Sequence, residues 1–401
     1  MSLILTITAL IACTPPDIAK SGTAGDADDT ALDSGGDGPE FPCANGSWAD
    51  YPADGGWLHV RAAGNDDENG SAEDPFATLG AALRAGRESG KKTIFLGPGE
   101  FSVTEGIAHD IDGGSDDGLR ILGCGSDETT LASPSDDDSI LKLSAASGIA
   151  LEGFQLTGGR RPLFIWQGST ATLADIIIHD ASATGMLVDG AATAVTATGV
   201  AIENIHASDG DDGYGIVVNL GLLTLDNVAI AHTTRAGIML NQASMSASNL
   251  SVIDTIAGTE DVDGYGIYAD ASPLRIDGAV LQRNRVAAIR VIDGVDTALT
   301  NVTISATAGN DDGLYGDGIA LSQSGNFDPA YFVHTVTGCR VEQSARTGIL
   351  ADGVTISALT GNAVSGNAYS VEGVSIIAQH GAVMPESGDP WKEATTTLDL
   401  P

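Results

Sequence analysis

Basic residues are the first thing this sequence is short of. Its 401 residues include 18 Lys+Arg against 54 Asp+Glu, a formal net charge of −36 at pH 7. With no basic stripe, nucleic acid is excluded as a partner, and any other polyanion would be repelled unless divalent ions bridged it. Cysteine is limited to four residues and the seven histidines are scattered, so no zinc set is evident. The opening apolar run, MSLILTITALIAC, is too short to span a bilayer. Aromatics make up only 5%, against 52 glycines and an apolar content of 42%. That apolar content excludes a disordered chain. Its Val, Ile, Leu and Ala come in short runs cut by Gly, Asn and Asp, the composition of strands and turns.

From about Gly148 the chain repeats itself. A small residue followed by a large apolar one opens a strand at Leu163-Phe164, Gly185-Met186, Gly215-Ile216, Gly237-Ile238, Gly266-Ile267, Ala288-Ile289, Gly318-Ile319 and Gly348-Ile349. Steps without an insertion are 22 residues: 164 to 186, 216 to 238 and 267 to 289. Before another strand stands Asp175, Gly199, Asn227, Asn249, Gly278, Asn301 or Gly338. These types share tolerance of positive φ, so one turn position is being reused. Alternating apolar residues follow each, from Ile176/Ile178 to Cys339/Val341, which buries one face and places the Cys339 thiol inside. A strand-like period near 22 predicts a solenoid whose coils bury their apolar faces only by stacking.

This repeat resembles the right-handed parallel β-helix proteins, the architecture of pectate lyases and many bacterial surface proteins. The front end is similar to theirs as well. In AGNDDENGSAEDPFATLGAALRAG, residues Gly64, Asp66, Gly70, Pro75, Phe76, Thr78 and Leu79 match the family's opening signature, Gly-x-Asp and a later Gly before Pro-Phe-x-Thr-Leu. The resemblance runs from Trp57 to Ala378 and implies an all-β fold, a single-stranded right-handed parallel β-helix over residues 43–381. A capping helix is expected over about 75–89, with Asp74 as N-cap, Pro75 first, Phe76, Leu79 and Leu83 on one face, and Gly90 at its end. It would cover the open strand edge of the first coil. Residues 382–401 are expected to cap the far end, and the chain to be a monomer.

The N-terminus resembles a bacterial lipoprotein signal peptide, with Leu10-Ile11-Ala12-Cys13 as the lipobox, although no Lys or Arg precedes it. An ordinary cleaved signal or a buried strand are the alternatives. The resemblance implies a signal over residues 1–13, lipid on Cys13, membrane contact through that anchor alone, and a place on the cell envelope. Thr14 after Cys13, instead of Asp, favours the outer membrane or cell surface. Residues 14–42, rich in Asp, Gly, Ser and Thr, read as a flexible tether. An exported protein keeps disulfides, and Cys43 with Cys124 is the expected pair.

Stacking turns sequence columns into lanes. One polar column reads Asp180, Asn204, His232, Asp254, Arg283, Ala306, Gln343. His232, Asp254 and Arg283 suit acid–base chemistry, or the column is polar because strand ends meet solvent. The loop that follows carries Arg161, Arg235, Arg285 or Arg346 in some coils. In coils between, it carries an acidic insert: Asp209, Asp211 and Asp212; Glu260, Asp261 and Asp263; Asp311, Asp312 and Asp317. Interleaving separates like charges and lets opposite ones pair. Calcium needs roughly six or more oxygens, which these loops could supply, although their spacing fits neither the EF-hand nor the RTX repeat. Tyr214, Tyr265 and Tyr315 recur beside the acids, either as glycan contacts or as residues that pack each loop; Trp166 stands alone.

Many proteins of the resembled fold cut acidic polysaccharides. A lyase needs a base and a cation or calcium, and Lys142 with Arg161 is the candidate pair by residue type, unless Lys142 is an outward strand residue. The Asn-Thr-Asp, Asp-Asp, Gly-His-Gly and Arg-Ile-Lys signatures of polygalacturonate glycosidases are absent, so inverting hydrolysis has no obvious acid and base. The expectation is a lipid-anchored surface β-helix that binds glycan or contributes to the envelope without catalysis. The alternative is a calcium-assisted polysaccharide lyase or related glycan-active enzyme.

Overall fold

The computed structural model describes residues 43, 56–103, 109–133, 135, 139–207, 213–258, 263–325 and 327–400. Strands stack in parallel into sheets of 17 and 12 strands. One coil shows the plan. Ala236–Asn241 lies in the smaller sheet, Ser244–Ile253 in the larger, and the chain then returns to Tyr265–Asp270, paired alongside Ala236–Asn241. The larger sheet folds at Asn249, so each coil has three faces where the two sequence anchors mark two strands. The third face is easy to miss. Its strands are poor in large apolar residues, as in Ala194–Thr198, AVTAT, where only Val195 and Ala197 point inward.

The bends fall where the sequence places them. Asp175, Gly199, Asn227, Asn249, Gly278, Asn301 and Gly338 all have φ between 49 and 80°. Inward of that bend the apolar column Ile178, Ile202, Ile230, Val252, Leu281, Ile304 and Val341 is fully buried. Each such side chain contributes about 1.5–3 kcal/mol, available only because the coils above and below exclude water. Cys339 occupies the adjoining inward column as a free thiol, its ionisation pushed up by burial.

One register differs from the sequence reading. Met186 pairs with Leu163, not Phe164. Because side chains alternate across a strand, this one-residue slip turns Leu163 inward and Phe164 outward.

The N-terminal helix runs from Leu79 to Ser89 and ends at Gly90, φ 74°. Its start corrects the expectation of Asp74 and Pro75: Thr78 is the N-cap and accepts from the Ala81 amide. Asp66 explains why. Its carboxylate takes the amides of Ala77 and Thr78 and the Thr78 hydroxyl at 2.8–2.9 Å, which holds the chain extended until Thr78. Gly64 and Gly70 belong to the same knot, since a Cβ on either would lie 2.2 Å from Phe76. Arg87 ties the helix to His109–Asp112, the edge strand of the smaller sheet, through the Asp110 carbonyl, and to Asp116. Cys43 and Cys124 form a disulfide beside Trp57, Phe95 and Leu122.

At the other end Ala382, Met384 and Trp391 pack on the last coil's core. Lys392–Glu393 adds a final short strand to the smaller sheet. The chain then turns along the outer face of that sheet, where Ala394, Leu398 and Leu400 cover Ala320, Leu350 and Ile377.

Candidate functional site

The three acidic inserts return to the coil at equivalent glycines. Gly213, Gly264 and Gly316 have φ of 113, 111 and 92°, and their carbonyls accept from the amides of Arg235, Arg285 and Arg346 at 2.8–2.9 Å. Each arginine then reaches an acid: Arg235 to Asp263 at 2.7 Å, Arg285 to Asp311 at 2.5 Å, and Arg346 to Asp317. Asp317, only 1% exposed, also accepts from the Thr347 hydroxyl at 2.8 Å. The interleaving of acid and arginine is thus a set of ion pairs at one corner. Asp209, Asp211, Asp212, Glu260 and Asp261 lie outside the described residues, as does Cys13. Asp312 is exposed. Among the described residues no three His, Cys, Asp or Glu gather.

The tyrosines of the corner converge. Tyr214, Tyr268 and Tyr315 line a cleft of about 360 Å³ with Arg235, Met239 and Asp263. Arg235 lies over the Tyr214 ring and Arg346 over Tyr315, both 5.5 Å from the centroid. Tyr265 is mostly buried against Tyr268, 5.1 Å between centroids, and burial pushes both phenols up. Tyr265 also lines the cleft but is buried, whereas Tyr214 and Tyr315 are half-buried there. Tyr268 escaped the sequence reading; its outward position after Gly266-Ile267 was the available signal.

From the cleft, the outer face of the smaller sheet runs toward the N-terminal coils. One outward lane reads Lys142, Phe164, Leu187, Val217, Met239, Tyr268, Arg290. Beside it stands Trp166, Asp189, Asn219, Asn241, Asp270. Phe164 and Trp166 stack at 5.4 Å, so Trp166 is not alone. The Lys142 amine sits 5.2 Å from the Trp166 centroid and 3.9 Å from the Asp110 carboxylate, as an outward strand residue. Arg161 is half-buried in the bend before Leu163–Trp166. Burial and the Asp293 charge raise the Asp270 carboxyl above the usual range.

His232, Asp254 and Arg283 do meet. Arg283 takes Asp254 by two bonds of 2.6 and 2.7 Å, and His232 lies 3.8 Å from the same carboxylate. The guanidinium holds Asp254 below the usual carboxylate range, which weakens it as a base. His232 and Arg283 are exposed, and none of the three lines the cleft. The whole column from Asp180 to Gln343 has φ of 52–59°, so it is a second left-handed corner of the coil. A corner that needs positive φ and meets water accounts for its polar residues.

Residues 139–304 match the family described as "Right handed beta helix region". The fold is a right-handed parallel β-helix. No curated protein matches the chain. Among solved structures, pectate lyase Pel9A is 14% identical, with 79% of this chain and 80% of that one aligned at a TM-score of 0.46. The catalytic domain of a GH87 alpha-1,3-glucanase in complex with nigerose is 16% identical over 77% and 67%, TM-score 0.45. A GH87 alpha-1,3-glucanase catalytic unit from Streptomyces thermodiastaticus strain HF3-3 is 15% identical over 80% and 68%, TM-score 0.36. These distant likenesses carry no argument about what this β-helix binds or does.

Proposed function

We propose that this β-helix binds a neutral, extended glycan along the outer face of its smaller sheet, held at the cell envelope through Cys13 and the 14–42 tether. The observation that carries the reading is the row Asp189, Asn219, Asn241, Asp270, one hydrogen-bonding side chain per coil, with aromatic groups at both ends. Phe164 and Trp166 stand at one end, and Tyr268, Tyr214 and Tyr315 at the other. Coils repeat at roughly 4.8 Å, close to the length of one sugar in an extended chain, so successive units would meet equivalent partners. Four such steps separate Phe164 from Tyr268, roughly 19 Å. Aromatic faces suit the apolar faces of sugars. The net charge of −36 weighs against a polyanionic ligand.

Calorimetric titration with neutral gluco-oligosaccharides tests it. Trp166→Ala, Asn241→Ala and Tyr268→Ala should each weaken binding about tenfold, near 1.4 kcal/mol. Arg283→Ala, on the other corner, should leave it unchanged. Absence of binding across an array of neutral and acidic oligosaccharides would sink the proposal.

A second reading, glycosidic cleavage, rests on Asp270. A carboxyl whose proton affinity is raised by burial and a neighbouring carboxylate is shifted in the direction a general acid needs. A reducing-end assay on any glycan that binds separates the two: release of ends that Asp270→Asn abolishes means an enzyme, and none means a binding protein.

A further inference from the structure

We propose that residues 394–400 form a displaceable strap over this same face, and that lifting it lengthens the groove beyond the tyrosine cleft. The strap's route is unlike that of a simple end cap. After Lys392–Glu393 completes the sheet, Thr395, Thr396 and Thr397 are exposed, and the chain runs back across earlier strands. Leu398 exchanges two bonds with the Gln379 side chain, each 2.9 Å, and Arg346 donates to the Asp399 carbonyl at 2.6 Å. Leu400 reaches the cleft and lines it with Tyr268 and Tyr315.

Two observations mark the strap as removable. Its hold is narrow: Ala394, Leu398 and Leu400 pack on Ala320, Leu350 and Ile377, the one ladder bond is at its root, from the Ala394 amide to the Ala378 carbonyl at 2.9 Å, and beyond it the ties run to the side chains of Tyr369, Gln379 and Arg346. A buried cation stands beside the strap's seat. Arg290 points outward, between Tyr268 and Ala320 in the lane the strap crosses, yet is only 2% exposed. Its Nη1 donates to the Ser322 hydroxyl at 2.8 Å, while its Nε has no partner. Burial pushes its proton affinity down. A buried donor without a partner is a cost that water reaching this face would relieve, and only two leucines and Ala394 oppose that opening with apolar contact. Arg346 grips the strap while holding Asp317 and covering Tyr315, which couples strap position to the shape of the cleft.

The effect on ligand rests on the glycan reading above; the opening itself does not. The test uses the full chain, a Leu398→Ser/Leu400→Ser variant, and a chain ending at Glu393. By hydrogen exchange, the Leu398 amide should exchange at least a hundredfold faster than those of Ile319 and Leu321. Both variants should melt within a few degrees of the parent, bind an apolar dye that the parent does not, and bind neutral oligosaccharides about tenfold more tightly. Equal protection of Leu398 and the strand amides, or loss of cooperative folding in the double variant, would show a structural cap and overturn the strap. If no oligosaccharide binds any of the three chains, the glycan reading fails, and exchange and melting still decide the strap.

Discussion

Asp317 and Arg346 show how burial sets the worth of an ion pair. Asp317 is 1% exposed and Arg346 13%, whereas Arg275 and Asp296 pair with 56% and 65% of their surfaces in water. Removing Arg346 strands a buried carboxylate, so Arg346→Ala should cost about 3 kcal/mol, while Arg275→Ala should stay within about 0.5 kcal/mol. Urea unfolding of the two variants measures the contrast; equal losses would mean that the corner is as wet as the open surface. The partners were legible in sequence because acid and arginine alternate coil by coil. Tyr268, Asp270 and Arg290 were not, since an outward strand residue declares itself only when the register is known. The slip at Phe164 shows how little is needed to lose it: one residue moves a ring from core to surface.

At the level of the coil, the left-handed corners dominate. Most are filled by Gly, Asn or Asp, but Leu220 holds φ 60° with 53% of its surface exposed. It suffers the Cβ clash of that conformation and buries little in return. Leu220→Asn should therefore stabilise the protein by about 1 kcal/mol, and Asn227→Val, forcing a β-branched residue into φ 53°, should destabilise it by at least about that much. Denaturant midpoints of both variants check the signs, and a Leu220→Asn loss would contradict the account. The corner of Asn249 and its equivalents could be read directly because three residue types share one physical tolerance. The third face could not, because Thr, Ser and Ala strands carry little apolar periodicity. The helix N-cap moved from Asp74 to Thr78 because a carboxylate eleven and twelve residues earlier in the chain captures the amides of Ala77 and Thr78, a contact that local capping rules do not see.

For the molecule as a whole, two effects of acid oppose each other. Protonating carboxylates relieves the charge of −36, but mostly below about pH 4.5. Buried histidines act earlier. His334 is fully buried, neither ring nitrogen has a partner, and burial lowers it from 6.5 to about 4; His109 is lowered likewise. Between pH 6.5 and 4 the unfolded chain binds protons that the folded chain refuses, so stability falls as pH falls through that window. For His334 the full loss is about 3 kcal/mol. Urea midpoints between pH 7 and 4.5 should decline for the parent and decline less for His334→Val; a flat parent profile would contradict the burial.

Repetition made the solenoid readable from one sequence. Each coil faces the same physical problem, an apolar face to stack and a corner to turn, and solves it with the same residue types at the same spacing. Composition likewise limited the partners, because net charge does not depend on how the chain folds. Which residues share the outer face, that the tyrosine cleft and the His232 corner are separate places, and that residues 394–400 lie over the sheet were settled by strand register and by contacts between residues far apart in sequence. Those contacts are made once, not once per coil, so no periodicity announces them.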